Sequence, residues 1–137
     1  MNQIEVKLVQ DEVESSSEHL CIAFKLTIDG ASPLFDDDDD FDIYQFIEST
    51  RTAGRYFIMT CSCGDPGCAG YGYGIEVTIE GDVTYWTDRD QHKTYSFSTG
   101  DLQSKALMLE NEINKWNNEA TARGAKLGIA PFLLRTG

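Results

Sequence analysis

The chain has 137 residues, 41% apolar and 25% charged, with a net charge of −12. A chain of this length forms one domain, 1–137, burying roughly 65–70% of its unfolded surface, so it needs neither metal nor disulfide merely to fold. Residues 1–50 carry 13 acids against Lys7 and Lys25, while residues 51–137 carry 10 acids against 9 bases; nearly all the excess therefore sits at the start, a field that repels nucleic acid and anionic lipid.

Ile4, Val6 and Leu8 alternate with Glu5 and Lys7, and Leu20, Ile22, Phe24, Leu26 and Ile28 alternate with Cys21, Ala23, Lys25 and Thr27. Period two over such lengths predicts two half-buried strands, joined by a polar loop from Asp11 to Glu18. Beyond Asp29-Gly30, Ser32-Pro33 and the aspartates 36–40, the spacing of Phe41, Tyr44 and Ile47 predicts a short helix over 41–50, its acidic start suited to the helix dipole. Arg55 to Cys61 reads as a strand, as do Tyr73 to Glu80, Val83 to Trp86 and Thr94 to Ser98, with a tight turn at Glu80-Gly81-Asp82 and a polar loop over Thr87 to Lys93. These four form a predicted antiparallel meander.

Ser98-Thr99-Gly100-Asp101 offers helix-capping side chains, and Leu102, Ala106, Leu109, Ile113, Trp116 and Ala120 then make one apolar stripe on a long helix ending near Gly124. That helix is expected to seal the sheet, with Trp116 in the core. Ile129 to Leu134 makes the tail apolar enough to pack. The predicted class is α+β: an antiparallel sheet of two N-terminal strands plus the meander, one long helix across it and a short helix beside it. No apolar run can span a bilayer, and Met1-Asn2-Gln3-Ile4-Glu5 lacks a basic segment leading into an apolar one, so the expected location is the cytoplasm, where thiols stay reduced.

Two stretches stand out chemically. In "TCSCGDPGCAG" Cys61 and Cys63 fall on one face of an extended strand, and the Asp65-Pro66-Gly67 turn can bring Cys68 back beside them. Three thiolates would suit zinc, with Cys21, His19 or His92 as a fourth ligand; yet no second cysteine pair follows, and disulfide exchange favours C-x-x-C. Buried packing is the plain alternative for free cysteines. No cofactor is assigned, zinc remaining the one open possibility.

"LFDDDDDFDIYQF" sets Asp36, Asp37, Asp38, Asp39, Asp40 and Asp42 among Phe35, Phe41 and Tyr44. It lacks the alternating ligands, central glycine and terminal glutamate of a calcium-binding EF-hand. Either it is a solvated loop, or it is a partner-binding surface in which aromatics anchor and carboxylates steer a cationic protein. His19 and His92 both lie among polar residues, and no nucleophile stands with a base, so an enzyme is not the expectation.

The stretch "YFIMTCSCGDPGCAGYGYGIEV", followed by a tryptophan-bearing strand and a long helix, resembles a group of small acidic bacterial proteins. These are of the immunity type, associated with polymorphic or contact-dependent growth-inhibition toxins. The resemblance covers residues 55–116, and Cys61-x-Cys63-Gly64 with Cys68 is its specific element. It implies a protein that acts by binding, with no catalytic residues to carry over. The function expected is therefore an acidic inhibitor of a basic toxin, nuclease-like in its need to attract phosphate; the alternative is a zinc-binding structural or regulatory module built on Cys61, Cys63 and Cys68.

Overall fold

The computed structural model describes residues 1–10, 19–31, 39–61, 73–90 and 92–129, with backbone alone at 9, 10, 19, 21, 39–41, 60 and 61. The predicted loop 11–18, Phe35 to Asp38, Cys63, Cys68 and the tail from Ala130 lie outside the described residues. The alternating segments form β1 (Ile4–Gln10) and β2 (His19–Ile28), paired antiparallel from Ile4↔Ile28 to Gln10↔Ile22. Asp29 and Gly30 follow at φ 54° and 82°, the left-handed pair of a tight two-residue turn, and Ile28 and Ala31 exchange backbone hydrogen bonds of 2.8 and 3.1 Å across it. Next come β3 (Asp39–Phe41), α1 (Ile43–Ser49), β4 (Gly54–Tyr56) and β5 (Met59–Cys61).

The meander continues through β6 (Ile75–Glu80), β7 (Val83–Asp88) and β8 (Lys93–Ser98), with Gly81 at φ 60° in the β6–β7 turn. Helix α2 (Thr99–Ala122) starts on Ser98, whose side chain accepts the Asp101 N–H. It ends in a Schellman arrangement: Gly124 at φ 69°, its N–H on Thr121 O at 3.0 Å, and the Ala125 N–H on Ala120 O at 2.8 Å. The reversal sends the chain into β9 (Lys126–Ile129).

The architecture is α+β, as the sequence predicts, and the meander is antiparallel in the order β4-β6-β7-β8. Four points differ from expectation, the first being that the two N-terminal strands and the meander form separate sheets rather than one. β9 joins β2 in parallel, from His19↔Lys126 to Ile22↔Ile129, making the N-terminal sheet mixed in the order β1-β2-β9. The predicted helix over 41–50 is confined to α1, because Phe41 pairs with Met59 in β3–β5 and Asp42 caps the helix.

The predicted strand from Arg55 to Cys61 is two strands in two sheets. Between them the Phe57 N–H donates to Gln45 Oε1 at 3.0 Å, and Ile58 O accepts the Asp42 N–H at 2.7 Å. With those groups diverted from the β4–β6 ladder, the chain leaves the meander at Tyr56 and pairs with β3 instead.

Asn2 stitches the two larger sheets together. Its N–H donates to Ser96 O at 2.7 Å, its Oδ1 accepts the Ser96 N–H at 2.9 Å, and its Nδ2 donates to Asp29 Oδ2 at 2.6 Å. The core lies beneath this joined surface: Ile4, Ile22, Phe24, Leu26 and Ile28 from the first sheet meet Ile75, Val77, Trp86 and Phe97 from the meander, with Phe46 of α1 and Leu102, Ala106 and Leu109 of α2. Trp86 contacts Phe97 edge-on at 4.9 Å between centroids and Phe46 at 6.1 Å. The buried hydroxyls are satisfied locally, Thr84 against Thr99 at 2.8 Å, Ser49 on Phe46 O and Thr50 on Ile47 O.

Candidate binding surface

The acidic run leads directly into the β3–β5 ribbon, where Asp39 stands opposite Cys61 and Asp40 opposite Thr60 in the backbone register. Of the two stretches that stand out in the sequence, the described parts, Asp39 to Phe41 and Thr60 to Cys61, are thus paired. From this ribbon Asp42 turns the chain into α1. Its carboxylate Oδ1 accepts the Tyr44 N–H at 3.0 Å and the Gln45 N–H at 3.2 Å, a helix cap. Burial pushes the Asp42 carboxyl up, against the lowering effect of those two N–H donors. Of the predicted partner-binding aspartates, Asp42 is therefore committed to holding α1.

Helix α1 buries Ile43, Phe46 and Ile47 and presents Tyr44 and Glu48 outward, one turn apart. Tyr44 is 51% exposed; burial of its remaining surface and the Asp42 charge both push its phenol up. Together with Ile47, Glu48 and Arg51 it forms one wall of a groove of about 300 Å³ whose other wall is Glu110, Ile113 and Asn114 of α2. The Arg51 guanidinium crosses this groove to Glu110 in an ion pair. Glu48 has no ion-pair or hydrogen-bond partner for its carboxylate among the described residues.

The sequence pointed to Tyr44 but not to Glu48, Arg51, Glu110, Ile113 or Asn114. Helical spacing from Tyr44 reaches Glu48; nothing local links either residue to the middle of α2, some 60 positions on.

The outer face of the meander is built differently. Tyr73 lies against two guanidinium groups, Arg55 and Arg89, each 5.0 Å from its ring centroid. Its hydroxyl donates to Glu76 at 2.8 Å, and Glu76 in turn pairs with Arg89 at 3.2 Å. Asp90 accepts the Tyr73 N–H at 3.0 Å. The charges here cancel, two arginines against Glu76 and Asp90. Asp88, placed by the sequence in a polar loop, is buried at the end of β7, and His92 is exposed in the following turn at φ 54°.

As to metal, Cys61 ends β5, and Cys21 and His19 lie in β2. Among the described residues no group of three His, Cys, Asp or Glu side chains is placed to hold an ion. No described helix is long and apolar enough to cross a membrane. Comparison with known proteins finds no family model, curated protein or solved structure that matches the chain.

Proposed function

We propose that this protein binds and neutralises a basic protein, in the manner of an immunity protein against a nuclease-like toxin, using the surface formed by Phe35 to Asp40, Phe41 and α1. The observation that carries this reading is the concentration of charge: 13 acids against two lysines in residues 1–50, with Asp39 and Asp40 in β3, a few residues before α1. A field of that sign speeds encounter with a cationic surface and can occupy a phosphate-binding site by resembling its substrate. The exposed Tyr44 supplies the aromatic anchor that such interfaces favour.

The test is capture from the source cell with tagged protein at low and high salt. The expected catch is a basic protein that is released by salt, arrests growth when expressed alone and is harmless when co-expressed. Changing Asp36 to Asp40 together to Asn should slow its association and weaken the salt dependence of the remaining rate. Capture of no basic protein, or of one that binds the five-Asn variant at the wild-type rate, overturns the reading.

A further inference from the structure

We propose that the groove between α1 and α2 receives an arginine side chain of the basic partner, stacked on Tyr44 and paired with the Glu48 carboxylate. The inference rests on the binding role above and names the chemistry that the site selects.

The walls fit the three parts of an arginine side chain. Ile47 and Ile113 offer apolar surface to its methylenes, the half-exposed Tyr44 ring offers a face to the planar guanidinium, and Glu48 offers two oxygens to its paired N–H donors. Tyr44 and Glu48 are four residues apart on α1, so ring and carboxylate stand side by side on one helical face.

The groove already contains an example of this chemistry, since Arg51 spans it to reach Glu110. That pair cancels its own charge and leaves Glu48 as the net charge of the groove, which favours a cation and disfavours an anion. A lysine ammonium would gain the charge but neither the planar stacking nor the two-pronged hydrogen bond.

Amide NMR titration with two capped hexapeptides, hexa-arginine and hexa-lysine, tests the assignment on the intact chain. Hexa-arginine should shift the Tyr44, Glu48, Ile113 and Asn114 amides in a saturable way and bind several-fold tighter than hexa-lysine. Glu48→Gln should weaken hexa-arginine by about fivefold, the size of one exposed charge pair, whereas Glu80→Gln in the β6–β7 turn should leave it unchanged. Tyr44→Leu should remove most of the preference for arginine over lysine. Glu48 is exposed and its substitution leaves the core intact, so loss of binding cannot be assigned to unfolding.

Equal affinity of the two peptides, or equal effects of Glu48→Gln and Glu80→Gln, overturns the groove assignment. The captured partner separates the two levels: binding unchanged by Glu48→Gln ends this inference and leaves the inhibitor role standing, whereas failure to capture a basic protein ends the role itself.

Discussion

The chain has two tryptophans, and their surroundings divide the molecule into an enclosed region and a rim. Trp86, in the middle of β7, is fully buried between Phe46 and Phe97, and its Nε1 is a buried donor without a hydrogen-bond partner among the described residues. Trp116, on the second half of α2, is only half-buried: its Nε1 donates to Glu112 at 3.2 Å, and the Lys115 ammonium lies 5.9 Å from its ring centroid. The expectation that Trp116 lies in the core is thus corrected. Leu102, Ala106 and Leu109 of the same stripe are buried, while Ile113 and Trp116 only rest against the core edge. A stripe fixes which side of a helix turns inward; the depth of each position depends on what stands opposite it.

Removing Trp86 should produce the largest effect. Trp86→Ala empties the most enclosed site and should cost about 3–5 kcal/mol, read as a lower denaturation midpoint. Trp86→Phe should cost clearly less, because it keeps an aromatic ring there and removes a buried donor that burial leaves unpaired, itself a penalty of about 1–3 kcal/mol. If the two variants were equally destabilised, the enclosure of the indole would not be the source of its contribution.

Gly74 comes next, at the entrance of β6. It has φ 88°, and an added Cβ would stand 2.9 Å from Tyr56 O and 3.2 Å from the Phe57 ring. Gly74→Ala should cost about 2 kcal/mol through backbone strain and displacement of β4. Gly81→Ala meets nothing within 4 Å among the described residues and carries only the positive-φ penalty, so it should cost less. Thermal unfolding of both variants reads the difference.

Trp116→Ala should cost about 1–2 kcal/mol, less than the Trp86 effect, since only part of its apolar surface leaves water on folding. A loss as large as that of Trp86→Ala would erase the distinction between enclosed core and rim.

The smallest effects belong to two aspartates at the rim, and they have opposite signs. Asp29 accepts the Gln3 N–H at 2.8 Å and the Asn2 amide at 2.6 Å, which hold its carboxyl below the usual carboxylate range. Its contribution is present in full above the unfolded value of about 3.9 and is lost as pH falls through the lowered folded value. Asp42 is raised by burial, so the folded state holds its proton more tightly; its contribution is greatest below the unfolded value and declines as pH rises through the raised one. Asp29→Asn should therefore flatten the acid limb of the stability curve, and Asp42→Asn should steepen it. Denaturant midpoints from pH 3 to 7 would show both slopes.

What the sequence by itself determined is what short-range chemistry dictates. The alternation in β1 and β2, the glycine turn between β6 and β7, the Ser98 cap, the stripe of α2 and its stop at Gly124 all depend on neighbours within a few positions, and all are where the pattern places them. The tertiary structure alone decided the rest. β9 lies parallel to β2 because the α2 reversal returns the chain there, and no four-residue segment encodes a partner more than 100 positions away. The break after Tyr56 follows from Gln45 and Asp42 capturing groups that local propensity would assign to a ladder. Of the candidate surface, Tyr44 and the aspartates could be read from composition, but the groove needed α1 and α2 brought together, so Glu48, Arg51, Glu110, Ile113 and Asn114 acquire a shared role only in the folded chain. Periodicity reports the direction in which a side chain points, whereas burial, pairing and clefts are properties of two segments at once.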